Sequence, residues 1–335
     1  MSGHDLLSAL DRKRPLGALV LGRAGLDLYP AEDGGKIAEA EAFTSDVGGS
    51  AGNIAAAMAR LGAAVGLVSA VSDDPVGDFV LRRLTAYGVD TASVQRLGGD
   101  PRTSLALAEV RSEDCEVTIY RNNAADLKLT ADAALQTRVR KAGLLIVTGT
   151  ALVAEPSREA AMTLLRAARG AGTVTVFDLD YRAYSWHSQS ETARVYQAAA
   201  DLSDLVVGNV EEFAVFAMDG AGAARRLAEE GDRIVVLKGG SAGATAHGKG
   251  WRIESGVFPV EAKKPYGAGD AFLGALAATL LQGEDLAQAM RRGAAAAAIV
   301  VAKRGCASAM PDGDELEAFM ASRQMTREPT EVAAG

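Results

Sequence analysis

Cysteine is scarce. Cys115 and Cys306 stand far apart, and neither belongs to a CxxC pair or a Cys/His cluster, so a disulfide framework and a zinc site are both unsupported. Such usage suits a reducing cytosol. No long run of Lys or Arg interrupts the chain and the formal net charge is -8, which makes nucleic acid and anionic membrane poor partners. An acidic balance does not exclude a phosphorylated ligand, because backbone N–H groups and a few local cations can hold one. Long apolar runs are absent too. The longest, residues 293–302, falls well short of the roughly 20 residues that a membrane span needs. The opening MSGHDLLSALDRKRP lacks the apolar core of a signal peptide; it reads as a short frayed or helical lead-in, and a cytoplasmic protein is expected. Two nucleotide fingerprints are missing as well. No GxGxxG follows the first strand and no GxxxxGK[ST] occurs, which weighs against a dinucleotide-dependent dehydrogenase and a P-loop enzyme.

What is present is a chain of 335 residues, 48% hydrophobic and 23% charged, enough to bury a substantial core in one large α/β domain or two smaller ones. Residues 16–21 form an apolar run that predicts a strand, followed by the loop GRAGLDLYP. Residues 29–46 are polar, with Gly34 and Gly35 placed as a turn, and predict a short exposed hairpin. GGSAGNIAAAMARLG has apolar residues at helical spacing, with Gly62 as C-cap. A strand at 65–71, a helix at 75–87 and two strands at 103–110 and 116–121 follow. From there the pattern is regular. Apolar runs at 144–148, 174–178, 205–208 and 234–238 alternate with helical stretches, the mark of βαβ units and a parallel sheet buried on both faces. Ala-rich helices occupy 271–281 and 286–302, and the polar tail after Met320 is expected to be loosely held. The simplest organisation is one domain over 15–321, with terminal tails at 1–14 and 322–335. Excursions near 29–46 and 101–123 would form a β lid over one end of the sheet.

Two segments carry chemistry. In KPYGAGDAFLGALAATLL, residues 264–281, Gly267, Ala268 and Gly269 make a small-residue turn into a long helix. Unpaired N–H groups and the helix dipole favour an anion at such a place. That suits charge developing on a transferring phosphoryl group. Asp270, at the same spot, could accept a proton from an attacking hydroxyl, or simply cap the helix. In VGGSAGNIAAAMARLG, residues 47–62, Gly48 and Gly49 allow the backbone to approach a ligand closely. Asn53 offers a donor and an acceptor to a polyol, or else caps its own helix.

Together, and in this order, the two segments resemble the paired signatures of the ribokinase-like (PfkB) carbohydrate kinases, over nearly the whole chain from Leu16 to about Pro311. The resemblance implies a ribokinase-like three-layer α/β/α domain with a mostly parallel central sheet and a small β-strand lid. It implies ATP and Mg2+ as cofactors and transfer of a phosphoryl group to a sugar hydroxyl. Asp270 would be the base and Gly267, Ala268 and Gly269 the anion hole, with Asp27, Gly49 and Asn53 on the sugar hydroxyls. Asn209 and Glu212 in GNVEEF match an NxxE pair that organises magnesium and phosphates, Glu212 acting on the metal indirectly. Lys238, Gly240 and Gly243 in LKGGSAG match a nucleotide-binding turn, and residues 293–301 a helix bordering adenine.

GRAGLDLYP, IYRNNAADL, VTGTALVAEPSREA and FDLDYRAYSW resemble, more narrowly, members that phosphorylate a keto-deoxy sugar acid of inositol breakdown. An acidic acceptor also fits the arginines. Arg23, Arg121 and Arg182 fall at predicted loops or strand ends near the site, and a guanidinium pairs a carboxylate through two parallel hydrogen bonds. Arg121 and Arg182 are the leading carboxylate candidates, with Tyr120 as a hydroxyl contact. The alternative is that these arginines pair with Asp27, Asp126 or Asp180. Kinases of 2-keto-3-deoxygluconate, fructose or ribose share the fold, and so would a non-catalytic sugar or nucleotide sensor, against which the intact Asp270 and GAG turn argue. Many relatives carry Asp-Thr-Thr before GAGD, where it helps form a monovalent-cation site. Here Lys264, Pro265 and Tyr266 stand instead, which makes a monovalent-cation requirement doubtful. The Lys264 ammonium would supply positive charge there, unless it points into solvent. An exposed lid edge could pair with a second copy, giving a homodimer.

Overall fold

The computed structural model describes residue 10, residue 14 and residues 16–333. The lead-in expected at 1–14 thus lies, apart from Leu10 and Arg14, outside the described residues. The strands are β1 (Leu16–Leu21), β2 (Gly25–Pro30), β3 (Phe43–Gly48), β4 (Val65–Ser72), β5 (Asp90–Leu97), β6 (Leu105–Ala108), β7 (Val117–Tyr120), β8 (Ala142–Thr148), β9 (Val174–Asp178), β10 (Leu205–Asn209), β11 (Ile234–Lys238), β12 (Ala244–Gly248), β13 (Trp251–Ser255) and β14 (Thr330–Ala333). The helices that matter below are α1 (Ser50–Arg60), α2 (Pro75–Ala86), α3 (Ala133–Arg140), α4 (Ser157–Gly170), α5 (Gln189–Ala200), α6 (Val210–Phe213), α7 (Gly220–Glu230), α8 (Ala268–Gln282) and α9 (Leu286–Val301).

Ten strands form the main sheet in the order β14-β13-β12-β11-β10-β9-β8-β1-β4-β5. From β5 to β11 every neighbouring pair is parallel; β12, β13 and β14 extend it antiparallel. The parallel strands read as continuous apolar runs because both faces are covered. In β1, Ala18 and Val20 join the core beneath α1, α8 and α9, whereas Leu19 and Leu21 join the opposite core, with α3, α4, α5 and α7. The same alternation runs along β8, where Leu144 and Ile146 face one layer and Leu145 and Val147 the other. The result is a three-layer α/β/α sandwich. Among the described residues no helix is long and apolar enough to cross a membrane.

A second sheet of four strands has the order β3-β2-β6-β7. The GRAGLDLYP segment, read as a loop from the sequence, supplies β2, one of its two central strands. Leu26 and Leu28 alternate with Asp27 and Tyr29, and that period of two, inside an otherwise irregular stretch, is what makes Gly25–Pro30 a strand. The expected hairpin is therefore longer than 29–46 suggested, with β2 and β3 paired antiparallel from Gly25↔Gly48 to Pro30↔Phe43. The C-terminal stretch also differs from expectation. Thr330–Ala333 adds to β13 as an edge strand, and backbone bonds join Gly256 to Arg327 and Thr326 to Val257. A ladder needs only backbone donors and acceptors, so a polar sequence can fill it.

Candidate active site

Because β1, β8, β9, β10 and β11 are parallel, their carboxyl ends open on the same edge of the sheet. There they deliver Arg23, Thr150, Asp178 with Asp180, Asn209 and Lys238. The chain runs from β1 outward to β4 and β5 on one side, and from β8 to β11 on the other. Open α/β sheets bind ligands in the crevice at such a reversal.

Helices α1 and α8 close the floor. Gly274 of α8 lies against α1 so tightly that a Cβ there would come within 2.5 Å of the Ala57 side chain and 3.0 Å of the Ile54 carbonyl oxygen. This approach brings the two sequence motifs together, and Asn53 Nδ2 donates to Asp270 Oδ2 at 2.7 Å. Burial, then the nearby Asp180, push the Asp270 carboxyl up to about 6, against the Asn53 hydrogen bond and the cations Lys238 and Arg182. At neutral pH such a group is ionised yet still basic enough to take a proton.

The turn before α8 has Gly267 in the left-handed region, φ +85°, which only glycine adopts without strain. A Cβ on Gly269 would come within 3.1 Å of Lys238 Nζ, so the ammonium stands directly beside the turn. Lys238 also lies 3.4 Å from Asp178 Oδ1. Burial opposes the Lys238 charge, but the carboxyls of Asp178, Glu212, Asp270 and Asp180 outweigh it and keep the lysine protonated. Burial pushes the Asp178 carboxyl up. Asn209 is the cross-strand neighbour of Lys238. It forms a capping box with Glu212 at the start of α6: Asn209 Oδ1 accepts from the Glu212 N–H, and Glu212 Oε2 accepts from the Asn209 N–H, both at 2.8 Å. Gly240 and Gly243 sit in the hairpin connection from β11 to β12, both with positive φ.

On the side of the second sheet, a Cβ on Gly48 would fall within 2.0 Å of the Asp27 carboxylate; the glycine leaves the space that this side chain occupies. Tyr29 Oη donates to Asp27 Oδ2 at 3.1 Å. Burial raises the Asp27 carboxyl to about 6 against the pull of Arg23. Asp27 Oδ1 and Asn53 Oδ1 are both buried without a hydrogen-bond partner. An acceptor left unpaired in a protein interior calls for a ligand or solvent donor, and hydroxyl groups supply such donors.

All three expected arginines already have partners. Arg23 Nη1 donates to Ser104 Oγ at 3.0 Å. Arg121 pairs with Asp126 and donates to the Thr150 carbonyl at 2.9 Å. Arg182 pairs with Asp180 at 2.9 Å. Asp180 in turn accepts from Ser50 Oγ and, at 3.2 Å, from Thr150 Oγ1, so Thr150 links the Arg121 and Arg182 pairs. Arg182 is half-exposed and the freest of the three to meet a ligand. Tyr120 is not brought to this place. Its cross-strand partner Leu105 pairs with Leu26, so Tyr120 projects from the sheet face opposite Asp27, and it is 55% exposed.

Sequence reasoning passed over Asp178 as a site residue and met Asp180 only as a possible arginine partner. Both sit where an apolar run ends in FDLD, a position that a parallel sheet turns into a ligand edge. Asp180 has a positive φ of 35°, uncommon outside glycine and visible only in the fold. Lys264, whose direction the sequence left open, is fully buried.

Residues 17–313 match the family described as pfkB family carbohydrate kinase. A 5-dehydro-2-deoxygluconokinase of Photobacterium profundum is 40% identical over 324 residues, 94% of this chain and 98% of that relative. The 5-dehydro-2-deoxygluconokinase of Geobacillus thermodenitrificans is 38% identical, covering 94% and 96%. Among solved structures, a fructokinase with bound ATP from Xylella fastidiosa superposes with a TM-score of 0.80 over 91% of this chain and 98% of its own, at 24% identity, a likeness that shows the fold.

Proposed function

Because the chain belongs to the pfkB family of carbohydrate kinases, we propose that it transfers the γ-phosphoryl group of ATP to the primary hydroxyl of 5-dehydro-2-deoxy-D-gluconate, yielding the 6-phosphate in myo-inositol breakdown. The observation that carries the substrate is the likeness, over nearly the full chain, to relatives named for that reaction. Two features of the cleft support an acidic polyol. The unpaired oxygens of Asp27 and Asn53 offer acceptors to hydroxyl groups. Arg182, tied to Asp180 but half-exposed, can turn its fork to a carboxylate.

In this reading the acceptor lies between the second sheet and α8, with its hydroxyl oxygen against Asp270. That oxygen bonds to the γ-phosphorus as the bond to the bridging oxygen of ADP breaks, and the hydroxyl proton passes to Asp270. The N–H groups of the Gly267–Gly269 turn and the Lys238 ammonium stabilise charge on the phosphoryl oxygens. The second sheet acts as a lid that excludes water. Among the described residues no three His, Cys, Asp or Glu side chains are grouped to hold a metal. Mg2+ fits here as an ion carried by the nucleotide, since it commonly takes only one or two carboxylates besides phosphate oxygens. Asp178 and Glu212, both close to Lys238, are the carboxylates in place for that, directly or through water. Bound with ATP, Mg2+ neutralises charge on the β- and γ-phosphates.

The test is ADP release from Mg-ATP with 5-dehydro-2-deoxygluconate, 2-keto-3-deoxygluconate, fructose and ribose. The first acid should give the highest kcat/KM, and Arg182→Met should raise its KM without altering the KM for ATP. Preference for a neutral sugar would overturn the substrate while leaving the kinase.

A further inference from the structure

Lys264 is 0% exposed. Its ammonium donates one hydrogen bond, to the Tyr266 carbonyl at 2.8 Å, and lies 4.8 Å from the centroid of the Tyr266 ring. Among the described residues no carboxylate pairs with it directly. Withdrawing an ammonium from water without an anionic partner is unfavourable, so a lysine kept in this state calls for a reason. Its surroundings supply one. The backbone N–H groups of Lys263 and Lys264 both donate to the Val301 carbonyl, at 2.8 and 3.3 Å, which ties the segment to the end of α9. A Cβ on Gly267 would come within 3.3 Å of Lys264 Nζ and 3.2 Å of Cys306 Sγ, so the charge is packed directly under the first residue of the anion turn. Tyr266 is fixed at its other end as well. Its hydroxyl donates to the Glu109 carbonyl at 2.8 Å, and its ring stacks on Tyr29, with centroids 6.3 Å apart and planes 7° from parallel.

In a trans peptide the C=O and the following N–H point in opposite directions. A Tyr266 carbonyl held toward the buried ammonium therefore turns the Gly267 N–H away from it. We propose that Lys264 is the positioning residue of the anion hole. Its ammonium fixes the Tyr266–Gly267 peptide so that the turn presents N–H groups to the phosphoryl group, and it does so as a built-in cation, with no free monovalent ion required. Tyr266 extends the same support to the second sheet, through Glu109 and through Tyr29, which itself holds Asp27.

The inference rests on the kinase reading, and its test is arranged to fail separately. Rates are taken with whichever acceptor the wild type phosphorylates or, if it phosphorylates none of the panel, as hydrolysis of ATP alone. The wild-type rate should be the same in potassium, sodium and tetramethylammonium salts. Lys264→Met should lower kcat by about 100-fold, the scale of losing one anion-hole donor, with KM for ATP and acceptor within about threefold. Lys264→Ala should recover part of the loss, saturably, with added ammonium or methylammonium, which a merely structural residue would not show. Three results would each overturn the proposal. One is a wild-type requirement for potassium, which decides the matter even if the variants do not fold. The second is a variant rate close to that of the wild type. The third is a folded Lys264→Ala protein that small amines leave unchanged.

Discussion

Asp270 can accept a proton only when ionised, and its carboxyl is raised to about 6 by burial and by Asp180. A raised acid is protonated below that value, so activity falls as pH drops through it. Asp27 is raised to about 6 as well, mainly by burial, and in the proposed reaction it accepts a hydrogen bond from the acceptor. We therefore expect the acid limb of log kcat/KM against pH to bend near 6 and to steepen toward two protons, with Asp27→Asn returning it to one. Asp270→Asn should lower kcat by roughly 100- to 10,000-fold. A profile flat down to pH 5, or an Asp270→Asn enzyme of near-normal turnover, would remove the assignment. Asp270 and Asn53 could be picked out from the sequence because each stands in a glycine-rich turn at a helix start. Asp178 and Asp180 could not, since FDLD resembles any strand exit until the sheet places its end beside β10 and β11.

The meeting of α1 and α8 is what joins the two motifs, and it depends on Gly274. A larger residue would have to displace the Ala57 side chain and the Ile54 backbone, and a packed core does not absorb that volume without shifting. Gly274→Val should therefore move α8 away from α1 and stretch the Asn53–Asp270 hydrogen bond. The expected result is a kcat at least tenfold lower in a protein that remains folded, although Gly274 touches neither substrate. A wild-type kcat in Gly274→Val would show that the site tolerates a looser floor. The elements themselves were unequally readable. Strands β8 to β11 are buried on both faces and stand out as apolar runs between helices. DTASVQRL of β5 and Thr330–Ala333 of β14 lie at the sheet edges, and a strand held by its backbone ladder needs no apolar pattern. In GLDLYP the alternation spans only a few residues, too short to mark a strand in the sequence.

Across the whole molecule, the cleft gathers carboxyls that folding would otherwise keep apart. Asp27 and Asp270 are both raised in the folded state, and Asp178 with them. For a carboxyl raised from its unfolded value near 3.8 to about 6, the native state binds the proton more tightly than the unfolded chain does. Its contribution to stability is therefore fully present below pH 3.8 and is lost as pH rises through 6. At neutral pH the ionised Asp270 opposes the fold that holds it. An asparagine in its place would keep an acceptor for Asn53 Nδ2 without the charge. Asp270→Asn should then be more heat-stable than the wild type at pH 7, by roughly a few degrees for a chain of this size, and the gap should close as pH falls toward 4. Paired melting curves at pH 4, 5.5 and 7, without nucleotide or acceptor, measure this. A variant less stable than the wild type at pH 7 would mean that the attraction of Lys238 and Arg182 for the Asp270 carboxylate outweighs its burial. The acid limb of the rate would then lie well below 6, so the melting curves and the pH profile must agree.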